Sequence, residues 1–210
     1  MKTSIGILNG NAMKVYLIRH GKDDDRYRGG WSNLGLIKEG EEQSQRLASY
    51  LKQHSKEYPI SQIISSDLKR AICTAKAIQK ELDVPITLSK DWREMNNGDL
   101  AGMLNSVALE KYPELFFNTL RMDECYPNGE SPIDFFNRIK ITFDKLLKDE
   151  LNNNVAIVTH SGVINIIYHI VKNIEWSNKN KTFPIKNVSL HTLEYKDGKV
   201  EFLEENKMVI

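Results

Sequence analysis

The sequence predicts an α/β fold: a three-layer sandwich in which a mostly parallel central sheet is flanked by helices. Three observations point to it. Short β-rich apolar runs, Val15–Ile18 and Val155–Val158, are bounded by polar residues, as in strands buried on both faces. Stretches of helical periodicity lie between and after such runs. No internal repeat, Ser/Gly-rich or Pro-rich linker, or shift of composition divides the chain.

Residues 1–12 carry two glycines and two asparagines without periodicity and are expected to form a flexible N-terminal extension; 13–210 are expected to form one domain. After the first strand, Lys38 to about His54 has the helical pattern, with apolar residues at Leu47, Ala48 and Leu51. Gln62–Ile64 reads as the next strand. Asp67 is placed to cap a helix ending near Leu82, and Pro85–Leu88 reads as a further strand. The span 104–128, with two prolines and scattered aromatics, is expected to be a helical insertion over the sheet. From Pro132 to Lys148 apolar residues recur at Phe136, Ile139, Phe143, Leu146 and Leu147, a core-facing stripe. A helix is expected from His160 to about Lys172. Lys186–Tyr195 and Lys199–Leu203, joined by Lys-Asp-Gly, read as a closing hairpin.

Composition narrows the function. Of the 210 residues, 29 are Lys or Arg and 28 Asp or Glu, so the net charge of +1 supplies no global field for nucleic acid or an anionic membrane. Any anion site must be local. Apolar runs such as Val163–Val171 fall far short of the ~20 residues a membrane span needs, and a cytoplasmic location is expected. The two cysteines, Cys73 and Cys125, have neither disulfide-scaffold density nor a metal-binding spacing.

In open α/β sheets ligands bind beyond the carboxyl ends of the strands, so the residues just after each apolar run are the informative ones. Arg19-His20-Gly21 follows the first strand, Ser65-Ser-Asp-Leu-Lys-Arg70 the second, and Thr159-His160-Ser-Gly162 the Val155 run. Two histidines and two arginines would face one crevice: an anion pocket with a nucleophile candidate inside it. Core packing offers no shared reason for two such histidines.

These motifs resemble those of the histidine phosphatase superfamily, the phosphoglycerate mutase-like family. Arg19-His20-Gly21 is similar to its signature, and Ser65-Ser-x-Leu-x-Arg70-Ala-x-x-Thr74-Ala75 to its second phosphate-binding segment. Arg93-Glu94 followed by Gly98 and Gly102, then Gly129-Glu130-Ser131, Val158–Ile164 and Asn187-x-Ser189, continue the likeness in order. The resemblance implies that His20 attacks phosphorus and becomes a phosphohistidine, and that Arg19, Arg70 and His160 surround the transferring group with the Gly162 turn beside it. It also implies that Glu94 serves first as acid and then as base. No cofactor and no metal ligands are expected, and the partner is a small phosphorylated metabolite.

Departures from the family pattern bear on the subclass. Lys22-Asp-Asp-Asp25 stands after the signature, and the asparagine that usually touches the phosphate has no counterpart. Asp23–Asp25 reads as a solvated loop that Arg26 and Arg28 can neutralise. Met95 and Asn97 stand where mutases carry the Arg and Tyr that hold the substrate carboxylate, and Ser161-Gly162 stands where they carry Gly-Asn. A phosphate monoester hydrolase is therefore the expected activity, with phosphoglycerate mutase-type transfer and a catalytically degenerate phospho-ligand binder as alternatives. Trp31, Met95, Met103, Tyr112, Phe116, Phe117 and Tyr126 are candidates for the side that holds the alcohol.

Overall fold

The computed structural model describes residues 12–148, 153–180 and 182–209. The expected N-terminal extension lies outside them except at Ala12. Six strands form one sheet in the order β3-β2-β4-β1-β5-β6: β1 (Met13–Arg19), β2 (Gln62–Ser66), β3 (Ile86–Ser89), β4 (Val155–Thr159), β5 (Leu190–Lys196) and β6 (Lys199–Lys207). The first four run parallel, and the β5–β6 hairpin adds antiparallel to β1.

The alternation of side chains along β1 and β4 divides the core in two. Tyr16, Ile18, Ala156 and Val158 pack with α1 (Lys38–Gln53) and α2 (Lys69–Leu82) on one face. Val15, Leu17, Val155 and Ile157 pack with α4 (Pro132–Lys148) and α5 (Ser161–Val171) on the other. The three-layer arrangement follows from strands that are apolar on both sides. Among the described residues no helix is long and apolar enough to cross a membrane.

Several boundaries differ from the sequence expectation, each for a local reason. Asp67 does not cap α2; that position belongs to Leu68, and the Asp67 carboxylate instead takes a two-pronged bond from Arg93, Nε–Oδ1 2.5 Å and Nη2–Oδ2 2.7 Å. A partly buried charged partner outbids two backbone N–H groups. Only α3 (Asn105–Lys111) is helical within 104–128; Tyr112 to Ser131 is a succession of turns, with left-handed backbone at Glu114 and Asn128. The helix α4 starts at Pro132 as expected, after Ser131, whose backbone N–H and Oγ bond Asp134 while Asp134 N–H returns a bond to Ser131 Oγ at 3.2 Å.

The closing hairpin begins at Leu190 because Lys186–Ser189 is bent away from the ladder. Val188 adopts φ 51°, a left-handed conformation rare for a β-branched residue, and its N–H bonds Arg19 O at 3.1 Å. Asn187 Nδ2 donates to His20 O at 3.1 Å. The bend thus braces the end of β1.

His191, on β5, lies wholly inside the protein. Its Nδ1 accepts from Asn206 N–H (3.0 Å) and Tyr168 Oη (2.7 Å), so Nε2 carries the proton and donates to Ser189 Oγ (2.9 Å). Burial pushes its pKa down to about 4. An unfolded chain with an ordinary histidine pKa near 6.5 takes up a proton that the folded protein refuses, so stability present at neutral pH is lost as pH falls from about 6.5 toward 4. Between pH 7 and pH 5 His191 alone should remove about 2 kcal/mol. Urea unfolding at the two pH values measures the loss, and His191→Gln should flatten it by that amount.

Candidate active site

The register of β1 and β4 assembles the site. Arg19 stands opposite Thr159, and His20 N–H bonds Thr159 O at 3.0 Å. His20 and His160 therefore leave adjacent strand ends side by side, ring centroids 5.0 Å apart. Ser65 of β2 pairs with Val158, which brings Ser66 beside His160 and starts α2 so that its first turn carries Arg70 to the same point.

The backbone after His20 is pinned from the other side. A Cβ on Gly21 would collide with the Gly40 carbonyl oxygen, and one on Gly40 with the Lys22 carbonyl oxygen. Two glycines let the chain after β1 touch the start of α1 directly. Gly21 N–H donates to Thr74 Oγ1 at 3.0 Å, and Thr74 Oγ1 lies 2.9 Å from Ser44 Oγ.

His20 is 4% exposed. Its Nδ1 lies 2.7 Å from Gly21 O, an acceptor only, so Nδ1 holds the proton and Nε2 presents a lone pair. Arg70 Nε points at that lone pair from 3.3 Å. Burial, then the positive charges of Arg70 and Arg19, hold the His20 pKa well below its ordinary value. The same causes, with burial first, act on His160. Both rings are neutral at neutral pH.

The cations are held by carbonyl oxygens. Arg70 Nη1 bonds Ser32 O and Oγ, each at 3.2 Å, and Nη2 bonds Gly30 O at 2.7 Å; Arg19 Nη1 bonds Ile185 O at 2.7 Å. Arg19 Nε and His160 Nδ1 are buried with no protein partner among the described residues, whereas His160 Nε2 lies 2.8 Å from Ser66 Oγ. Unsatisfied buried polar atoms gathered at strand ends mark a place meant for a ligand.

Glu94 lies on the segment following the turn Lys90–Trp92. Its Oε2 accepts Gly162 N–H at 3.0 Å and its Oε1 accepts Met95 N–H at 3.1 Å. Its backbone carbonyl takes bonds from Trp31 Nε1 (2.7 Å) and Arg138 Nη2 (3.2 Å), and Arg138 also bonds Arg93 O and the Glu130 carboxylate. Arg19, His20, Arg70 and Glu94 line one pocket of about 330 Å³ with Ser161, and Gly162 adjoins Glu94 behind it. All six residues singled out by sequence, His20, Glu94, His160, Arg19, Arg70 and Gly162, are thus brought together.

The acidic run divides in a way the sequence did not foretell. Asp24 pairs with Arg26, but Asp23 turns inward to within 3.6 Å of Arg70 Nε. Arg28 neutralises none of the three; its guanidinium lies over Phe116 at 4.7 Å and forms no ion pair among the described residues. Asp23, Ser66, Arg138 and Glu130 are the supporting residues that sequence reasoning left without roles. Ser66 and Glu130 sat inside matched motifs, whereas nothing distinguishes Asp23 from its two neighbours until the loop is folded. Among the described residues no three His, Cys, Asp or Glu side chains converge as a metal-ligating set.

Comparison with known proteins places the site in context. The model of the histidine phosphatase superfamily (branch 1) matches residues 15–207. Phosphoglycerate mutase-like protein 4 of Arabidopsis thaliana is 29% identical over 192 residues, covering 88% of this chain and 80% of that protein. Phosphoserine phosphatase 1 of Hydrogenobacter thermophilus is 27% identical over 199 residues, 92% of each chain. The alpha-ribazole phosphatase structure from Shigella flexneri superposes with a TM-score of 0.80 at 21% identity, covering 94% of this chain and 98% of that one, a likeness of fold.

Gly162 offers a test of the geometry. A Cβ there would collide with Glu94 Oε1 and lie 3.1 Å from the Phe135 ring. Gly162→Ala should push the carboxylate aside and lower kcat/KM for alkyl phosphates by about 10²-fold, the cost of an ångström-scale misplacement. Its thermal unfolding should stay near that of the parent, because the displaced atoms are the far end of a side chain.

Proposed function

The chain belongs to the histidine phosphatase superfamily, and from that premise we propose that it hydrolyses small phosphate monoesters with His20 as nucleophile and Glu94 as proton donor and acceptor. The observation that carries the reading is the state of His20: neutral, its Nδ1 proton bonded to Gly21 O, and its Nε2 lone pair directed into a cationic pocket.

In the first step the Nε2 lone pair forms a bond to phosphorus as the ester P–O bond breaks. The departing oxygen takes the proton of the Glu94 carboxyl and leaves as the alcohol. The ring, now carrying the phosphoryl group, is positive, and Gly21 O stabilises its Nδ1–H. Arg19 and Arg70 offer N–H groups to the equatorial oxygens, with Arg70 Nε exchanging the His20 lone pair for phosphoryl oxygen. His160 contributes whichever donor its bond to Ser66 leaves free. In the second step water attacks phosphorus, the Glu94 carboxylate takes its proton, the N–P bond breaks and inorganic phosphate leaves.

Hydrolysis is favoured over mutase transfer by what surrounds Glu94. Met95 is buried and apolar, and Asn97 Oδ1 accepts the backbone N–H of Trp31 at 3.2 Å, so neither of these two positions supplies a cation for a glycerate carboxylate. A relative named for phosphoserine hydrolysis covers 92% of this chain, which supports the same side. A binder without turnover would have no use for an in-line nucleophile and an acid together. We further propose that 13–210 act as one catalytic domain.

His20→Ala should abolish turnover of nitrophenyl phosphate, and acid-quench labelling should trap an acid-labile phosphoenzyme in the parent protein alone. Glu94→Gln separates chemistry from binding. The pre-steady-state burst with an alkyl ester should slow by about 10²–10⁴-fold, because an alkoxide needs its proton, whereas nitrophenolate leaves unaided and should lose far less. Equal losses for the two leaving groups would remove Glu94 from the acid role.

A further inference from the structure

Beside the phosphate pocket lies a larger chamber of about 490 Å³. Arg28, Gly29, Gly30, Glu94 and Ser161 border both, so the two spaces form one cleft with its neck at the Glu94 carboxyl group. Three of the seven residues named as candidates for the alcohol side, Met95, Phe117 and Tyr126, line this chamber. Trp31 instead packs against the Arg93 guanidinium, 4.5 Å from its ring centre, and Phe116 lies under Arg28.

The chamber is built for a bulky, largely apolar guest. Phe135 and Trp176 extend its apolar wall, their ring centroids 6.4 Å and 6.2 Å from that of Phe117, and Asn97, Asn118, Asn165, Asn178 and Asn180 border the rest. The volume falls among pockets of roughly 300–1,000 Å³ that enclose drug-sized ligands, and a three-carbon alcohol would leave most of it to water. Of its two cationic side chains Lys179 is engaged, Nζ donating to the carbonyls of Asn118, Thr119 and Leu120 at 3.1, 3.3 and 2.6 Å, whereas Arg28, stacked on Phe116, forms no ion pair and has a buried Nε without a partner among the described residues.

A second observation shows that the chamber is not simply loose packing. Asn178 is 4% exposed and donates through Nδ2 to Phe117 O at 2.6 Å and Leu120 O at 2.9 Å, which fixes the orientation of its amide. Its Oδ1 is buried without a partner among the described residues. A buried acceptor bordering an apolar cavity is costly unless a donor arrives from outside the protein.

We propose that this chamber receives the alcohol part of the substrate, and that the enzyme selects phosphate monoesters of bulky, ring-bearing alcohols over those of two- or three-carbon alcohols. The inference rests on the reading of His20 and Glu94 as the catalytic pair, since it is Glu94 that places the scissile oxygen at the neck.

The test holds leaving-group chemistry nearly constant. Ethyl, 3-carboxypropyl and 3-phenylpropyl phosphates are all esters of primary alcohols and differ in what enters the chamber. Burying the phenyl ring should raise kcat/KM over ethyl phosphate by roughly ten- to a hundredfold, and by more than the carboxylate gains from Arg28. Trp176→Ala, and separately Phe117→Ala, should lower the phenylpropyl-to-ethyl ratio. A flat series with an intact phosphoenzyme burst would overturn the chamber inference and leave the mechanism standing, as would the carboxypropyl ester proving best. An unchanged ratio in both variants would overturn the location. Absence of any phosphoenzyme would overturn the catalytic reading and this inference with it.

Discussion

The parallel pairing of β1 with β4 is the constraint on which the site depends. Both strands are apolar on both faces, so a shift of one residue would exchange the side chains packed on α1 and α2 for those packed on α4 and α5. The different shapes of the two halves of the core forbid that exchange. With Arg19 held opposite Thr159, the next residue on each strand is a histidine, and their separation is set by the strand spacing and not by flexible chain. The contact of Gly21 with Gly40 then fixes the direction in which the chain departs from β1.

A second feature is electrostatic. A buried arginine is expensive, and this pocket places Arg70, with the half-buried Arg19, beside two histidines. The cost is met by distributing each guanidinium over carbonyl oxygens, Ser32 and Gly30 for Arg70 and Ile185 for Arg19, with the Asp23 and Glu94 carboxylates adding attraction from nearby. Carbonyls satisfy N–H groups without cancelling the charge. The positive potential therefore survives to keep the histidine rings neutral and to receive an anion, which a full set of carboxylate partners would have quenched.

Much of this was legible in the sequence because it lies in or next to regular elements. Val15–Ile18 and Val155–Val158 announce themselves by apolarity, and the residues following them are then located to within one position. What could not be read belongs to chain without periodicity. Asp67 looks like a helix cap until Arg93, distant in sequence, competes for it. Val188 gives no sign that it will take a left-handed turn, since its conformation is imposed by the bond to Arg19 O. The span 104–128 reads as a helical insertion, yet beyond Lys111 it is a run of turns held by long-range bonds such as those from Asn178 to Phe117 and Leu120.

The walls of the larger chamber come mostly from such chain, the turns around Phe117 and Tyr126 and the stretch from Trp176 to Asn180, with Phe135, Ser161, Gly162 and Asn165 contributed by helices. The groups around His20 come from strand ends and the first turn of α2. The two halves of the cleft are thus subject to different rules of mutational drift. A substitution among the turns disturbs no ladder of hydrogen bonds and no register, so it can reshape the space for the alcohol while phosphoryl transfer stays intact. Lineages built on this scaffold are free to exchange one substrate for another through loop changes alone, without passing through an inactive ancestor.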